Sequence, residues 1–393
     1  MMISIIRFID RHLGAIACNF LALFKKQKER RNKKIESILI IQLWGIGESI
    51  LTLPAIAALR EKFSGAKIDV LSTKRNLDVF IGNKKITNVI LLGMNPFSIL
   101  GFLVRSMKKY DIAVDMEEYL NVSAIISFFA GKSRLGFSCG ARSKLYTQKV
   151  RYNDMQHAVL TFLDLARKLG IDHDAKVLPR LNSSENDKKS VDSILRKEKI
   201  RKVDFLVCVA PGAAESAKCR MWPHERYSSL CDEIILRHNA RIIFVGSKGE
   251  KGLIAAIRSS MDNKAKTIDT SGDVSLTQLF YLVSKTDLFI GNDSGAMHIA
   301  AAQGVKTIGL FGPNLPVRFG PYGQGNIGIY KGYNCKFSPC INVHKGQIPD
   351  CIYPKDSNDY QKCMKNISVD DVLKKVEGIL THGSVENLNF VKG

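Results

Sequence analysis

Short apolar runs alternate with amphipathic stretches along most of the chain. Runs over 38–43, 67–71, 89–92 and 112–115 are apolar with no regular break and read as buried strands. Between and after them, 50–63, 97–107, 123–130 and 157–169 carry apolar residues at helical spacing. The stretch 182–190, NSSENDKKS, lacks large apolar side chains and marks a boundary. A second series follows: a helix over 191–197 and strands at 205–209 and 242–246, after which 267–269 and 276–283 lead into the next motif. A strand at 288–290, a helix at 296–302 and a strand at 305–311 come next. A last helix spans 369–380, with Ser368 as N-cap and Asp370 and Asp371 in its first turn. Strands that alternate with helices predict parallel, doubly wound α/β sheets. Two such series predict domains over 35–184 and 185–330, with a tail over 331–393.

Residues 1–34 follow a different pattern. Ile5, Ile6, Ile9, Leu13, Ile16, Phe20 and Phe24 recur on one helical face, opposite Arg7, Arg11, Gly14 and Cys18. The decapeptide KKQKERRNKK at 25–34 then carries seven cations and one acid. The uncharged run 13–24 is too short for a bilayer span, which needs about 20 residues. An amphipathic helix with a polybasic flank predicts peripheral binding to an anionic membrane surface. The rival expectation is a helix packed on the protein's own surface, followed by a solvated linker.

Charge narrows the choice of partner. The 393 residues carry a formal net charge of +21. A phosphorylated glycolipid or an anionic membrane answers that charge. No zinc-finger spacing, helix-turn-helix or RNA-binding aromatic motif accompanies it, so nucleic acid is not an expected partner. Of the nine cysteines, Cys18, Cys139, Cys208, Cys219 and Cys231 are scattered. Cys335, Cys340, Cys351 and Cys363 cluster in the tail, where zinc, disulfides and free thiols all stay open.

The densest motif is 286–322, TDLFIGNDSGAMHIAAAQGVKTIGLFGPNLPVRFGPY. A strand, the turn Asn292-Asp293-Ser294-Gly295, a helix of small residues and a second strand follow one another. Ligands of such crossovers bind at the carboxyl ends of the strands. A helix N-terminus with unpaired N–H groups and partial positive charge suits phosphate. Ser294 adds a hydroxyl, Gly295 lets a ligand approach the backbone, and His298 lies one turn on. The plainer alternative is that Asp293 and Ser294 only cap the helix and that His298 is packed in the core.

The sequence D-S-G-x-M-H-x-A-A-A, then L-F-G-P and R-x-G-P, resembles the signature of glycosyltransferase family 9, the lipopolysaccharide heptosyltransferases. The family's usual Thr is here Ser294. The resemblance covers about 37–322. It implies a GT-B fold, in which two Rossmann-like domains face a cleft: the first takes the acceptor, the second the nucleotide-sugar donor. It implies an inverting transfer of sugar from a nucleotide-diphosphate sugar, ADP-heptose, to a lipopolysaccharide core or related glycolipid. The setting it implies is the cytoplasmic face of the inner membrane.

Further motifs gain roles from that resemblance. After the first strand, Gly47-Glu48-Ser-Ile-Leu-Thr-Leu-Pro54 matches the family's G-[DE]-x5-P, which makes Glu48 the catalytic base in place of the usual Asp. Without the resemblance, Glu48 is a helix-start carboxylate. Gly45 and Gly47 give G-x-G, but Ile50 stands where a dinucleotide fingerprint needs its third glycine, so no NAD is expected. Before Trp222-Pro223 the family has a Lys that pairs with donor phosphates. Arg220 occupies that place and Lys218 lies two residues earlier, so either cation can serve. Glu250 matches an acid that contacts the nucleoside. The basic, loop-like stretch 134–151 supplies Arg134 and Arg142 as acceptor-binding candidates, with a solvated face as the alternative. No metal-binding acidic pair accompanies the donor motif, and the expected chemistry needs no cofactor. A catalytically degenerate, membrane-docked scaffold of the same fold is the competing function, supported by Glu at 48 and Ser at 294.

Overall fold

In a computed structural model the chain is described over residues 8–24, 34–342, 345, 347 and 350–386. Ile5, Ile6, Arg7 and residues 25–33 of the basic run lie outside the described residues. The chain divides into two compact units at Ala175/Lys176.

The first unit holds a six-stranded parallel sheet. Its strands are β1 (Ser37–Ile41), β2 (Lys67–Ser72), β3 (Asn88–Leu91), β4 (Tyr110–Asp115), β5 (Gly131–Phe137) and β6 (Gln148–Val150). They lie in the order β3-β2-β1-β4-β5-β6. The central strand β1 pairs in register with β2 (Ile38 with Ile68) and with β4 (Ile38 with Ile112). Both faces of β1 are covered, so the run Ile38-Leu39-Ile40-Ile41 is wholly buried. The helices are α1 (Ala15–Ala22), α2 (Ile46–Lys62), α3 (Pro96–Arg105), α4 (Asn121–Ala130) and α5 (Ala158–Lys168). A π-helical turn, Asp10–Gly14, runs into α1. Asn95 caps α3, its side chain accepting from the Ser98 amide, with Pro96 at the favoured first position.

The second unit repeats the plan. Its strands are β7 (Leu206–Ala210), β8 (Arg241–Phe244), β9 (Thr267–Asp269), β10 (Leu288–Asn292), β11 (Lys306–Phe311) and β12 (Ile327–Tyr330), in the order β12-β11-β10-β7-β8-β9. Three helices matter below: α6 (His224–His238), α7 (Gly295–Ala302) and α8 (Val369–Glu386). The Ser368 cap of α8 is reciprocal: its hydroxyl accepts from the Asp371 amide, and its own amide donates to the Asp371 carboxylate. Two parallel sheets with crossover helices are the expected α/β architecture.

Two expectations change. The stretch read as a basic loop from 134 contains β5 and β6; Lys132, Arg134 and Lys149 hid their strand pattern. The helix carrying Glu48 begins at Ile46, so Glu48 lies inside its first turn rather than before it.

Candidate active site

At the carboxyl edge of the first sheet, β1 leads into Gln42-Leu43-Trp44-Gly45 and then α2. Gly45 adopts φ +70°, which favours glycine. A Cβ there would also overlap the Glu48 carboxylate, which folds back over the turn. Glu48 is half-buried at the positive end of α2. Ser49 ties the turn shut, its hydroxyl donating to the Gly45 carbonyl at 2.6 Å.

Beneath this turn lies a buried polar cluster. Glu117, just past β4, accepts from the amides of Leu43 (2.5 Å) and Trp44 (2.8 Å) and from Gln42 Nε2 (3.2 Å). Asp115 accepts from Ser123 Oγ (2.9 Å) and Tyr146 Oη (2.6 Å) and pairs with Arg142 at 2.9 Å. Arg142 also donates to the Glu117 carbonyl. Asn76 locks the next loop, donating to the Gln42 carbonyl (2.8 Å) and to Ser49 Oγ (2.7 Å).

This arrangement corrects the expectation for the two arginines. Arg142 is buried and spent on Asp115 and the Glu117 carbonyl, so it faces inward rather than toward an acceptor. Arg134 is buried within β5, its Nε donating to the Leu145 carbonyl at 2.7 Å and its guanidinium lying over the Phe128 ring. The buried Asp115 carboxylate demands a buried cation, and sequence distance concealed its pairing with Arg142.

Burial, reinforced by Asp115, pushes the Glu117 carboxyl up to about 8, against the pull of its amide donors and Arg142. The folded state therefore holds a proton that the unfolded chain releases near pH 4.5. Stability from this group is full below that value and is lost as pH rises toward about 8. Glu117→Gln accepts the same amides and cannot ionise. Its melting temperature is expected to lose this pH-dependent decline between pH 5 and 8; a variant profile parallel to the wild type's would refute the assignment.

The second unit presents its own edge where β7, β10 and β11 end. Asn292 closes β10 and is fully buried. Its Nδ2 donates to the carbonyls of Pro211 (2.7 Å) and Gly212 (3.2 Å), and its Oδ1 accepts from the Trp222 amide (3.1 Å) and Tyr227 Oη (3.0 Å). Four bonds saturate the amide and hold together the two loops that flank the donor motif. Asp293 pairs with Arg220 at 3.3 Å and accepts from Asn314 Nδ2 at 2.9 Å. Ser294 is the N-cap residue of α7, yet its side chain makes no capping bond. Its Oγ is buried with no hydrogen-bond partner among the described residues. Pure capping therefore does not explain Asp293 or Ser294.

The other expected donor residues take distinct places. Gly295 opens α7, and His298 is buried one turn further. Lys218 is exposed, while Arg220 is mostly enclosed. Glu250 forms a capping box with Ser247, accepting from its amide (2.6 Å) and hydroxyl (2.7 Å). Its other oxygen lies over Gly212, where a Cβ would overlap it. Asn292, Asn314, Asn76, Asp115 and Glu117 went unnoticed as site builders in the sequence. A lone Asn or Asp reads as a turn former, and only the fold shows its partners.

In the tail, Cys335, Cys340, Cys351 and Cys363 lie within electrostatic reach of one another. None of the nine cysteines, all of them described, is joined in a disulfide. Burial pushes Cys340 up to about 11 and Cys363 up to about 12. Among the described residues no group of three His, Cys, Asp or Glu side chains is arranged to hold a metal.

Two parallel six-stranded sheets, each with its polar edge at the strand ends, define a GT-B-like glycosyltransferase fold. Residues 103–345 match the glycosyltransferase family 9 (heptosyltransferase) profile, and the chain belongs to that family. Lipopolysaccharide heptosyltransferase 2 of Salmonella typhimurium is 26% identical over 369 residues, covering 88% of this chain and 99% of the relative. The crystal structure of a family 9 glycosyltransferase from Veillonella parvula superposes with a TM-score of 0.74 at 20% identity, over 90% of this chain and 99% of that one. The E. coli heptosyltransferase WaaC, solved with ADP, gives 0.64 at 16% identity, over 87% and 99%.

Proposed function

We propose that this protein transfers a heptose, with inversion, from ADP-heptose to a lipopolysaccharide core or related glycolipid at the cytoplasmic face of the inner membrane. The observation that carries the reading is Ser294 Oγ, buried at the N-terminus of α7 without a partner among the described residues, beside the Arg220–Asp293 pair. Diphosphate oxygens supply the acceptors that such a hydroxyl, the first amides of α7 and a nearby guanidinium want. Asp293, itself held by Asn314, keeps the Arg220 guanidinium in place. Exposed Lys218 adds a second charge. Glu250, above Gly212, is the group for the nucleoside. The relatives' names and the ADP complex of WaaC support this choice of donor.

The reaction then divides between the units. Glu48 takes the proton of the acceptor hydroxyl, whose oxygen attacks the anomeric carbon. The bond to the diphosphate breaks on the opposite face, and the growing negative charge meets the α7 amides, Ser294 and Arg220.

Thermal denaturation against a panel of nucleotides and nucleotide sugars tests the donor site, because selective binding stabilises the fold. ADP and ADP-heptose are expected to raise the melting temperature more than uridine or guanosine counterparts. Ser294→Ala is expected to weaken them roughly 5- to 10-fold, about one hydrogen bond, and His298→Ala to weaken them also. If neither substitution changes donor affinity, the phosphate assignment is wrong.

A further inference from the structure

The helix that precedes the first sheet is docked the wrong way round for a globular protein. Its inner stripe is Asp10, Gly14 and Cys18. The Asp10 carboxylate accepts from the amides of Asn121 (2.9 Å) and Val122 (2.8 Å), capping the start of α4, and Asn121 Nδ2 returns a bond to the Asp10 carbonyl at 2.9 Å. Gly14 sits so close to Asn121 that a Cβ would overlap it. Cys18 is fully buried in a cluster with Ala124, Leu145 and Tyr146. The bulky face points away: Phe8, Ile9, Leu13, Ile16, Phe20, Leu23 and Phe24 are each about half exposed or more, Leu23 at 79%. Burial of apolar surface drives folding, so an outward face of this kind needs a second partner.

A neighbouring helix does the same. Helix α3 packs Phe102 and the partly buried Ile99 and Leu103 into the core, but exposes Phe97, Leu100 and Val104, followed by Met107. Phe97, Leu100 and Val104 lie at spacings of three and four residues, one stripe on one side of the helix, Met107 follows just past its end, and Phe97 is 87% exposed. Both α3 and the Asp10–Ala22 helix pack against α4, so the two helices are neighbours in one layer of the unit. Arg11, Arg105 and Lys109 on or next to these helices are exposed, whereas Lys108 Nζ turns back onto the Phe128 and Gly131 carbonyls. The sequence continues from Phe24 into seven further cations over 25–34.

We propose that these two helices form a single platform that inserts its apolar stripes into the interface of an anionic phospholipid bilayer. Apolar side chains at acyl depth and a ring of Lys and Arg at headgroup level are the two signals stable peripheral binding requires. The charge rules against a second copy of this chain as the occupant, since two such faces would bring like cations together. No helix among the described residues is long and apolar enough to cross a membrane, so contact is along the surface. The Asp10 cap fixes the angle at which the N-terminal helix lies on the unit, so the platform is preformed.

Sedimentation of the full chain with vesicles of phosphatidylglycerol and phosphatidylethanolamine tests this without any assay of sugar transfer. The triple variant Phe97→Ser, Leu100→Ser, Val104→Ser and the triple variant Leu13→Ser, Ile16→Ser, Phe20→Ser remove one stripe each from exposed positions. Each is expected to bind at least tenfold more weakly while keeping the wild-type melting temperature and its response to ADP. Binding is expected to fall with salt and on purely zwitterionic vesicles. An α3 triple variant that binds vesicles as tightly as the wild type overturns the two-helix platform. So does a wild type that ignores anionic vesicles and sediments as a dimer which either triple variant dissociates; the face is then a self-association surface.

Discussion

Glu48→Gln is expected to lose sugar transfer by about 10²–10⁴-fold, the usual cost of removing a general base. The substitution keeps the size of the side chain and its place over the Gly45 turn. Gln cannot take the proton of the acceptor hydroxyl. Donor affinity is expected to stay unchanged, because the groups assigned to the donor belong to the second unit. Glu48→Asp restores the carboxylate one methylene shorter and is expected to keep much of the activity. The measurement is transfer to a truncated glycolipid acceptor, with donor affinity read in parallel. Full activity in Glu48→Gln removes Glu48 as the base. A wild type that binds donor and transfers to no acceptor favours the scaffold function instead.

Asn292→Ala is expected to be the most destabilising single substitution near the donor edge. It strips partners from two backbone carbonyls, one amide and the Tyr227 hydroxyl. A buried polar group left unpaired costs about 1–3 kcal/mol, so at least about 3 kcal/mol is expected in sum. For a unit of this size that lowers the melting temperature by roughly 6–12 °C. Asn292→Asp is expected to fare no better, since it turns a carboxylate oxygen toward the Pro211 and Gly212 carbonyls. Both variants are expected to bind donor more weakly, because the Gly212 loop under Glu250 and the segment leading to Trp222 lose their common tie. A variant with wild-type melting temperature would show that Asn292 is not the tie described.

The two series of strands and helices could be read in the sequence because parallel strands are buried on both faces. That burial demands unbroken runs such as Ile38–Ile41, which a one-dimensional pattern displays. Asp293 and Ser294 stood out as a candidate site for a related reason: strand ends followed by helix starts are where such sheets bind ligands; Glu48 took its proposed role from the family resemblance alone. The strands β5, β6 and β12 escaped because glycines and cations interrupt or shorten their apolar pattern. The roles of Arg134 and Arg142 could not be read at all. A basic residue in a sequence looks solvated, and only the fold brings Asp115 and the Glu117 carbonyl against Arg142 and turns its charge inward. Likewise the sequence determined that the N-terminal helix has a bulky and a small-residue face. Which face meets the protein was decided by tertiary contact: Asp10 satisfies the open amides of α4, and the small Gly14 and Cys18 let the helices approach.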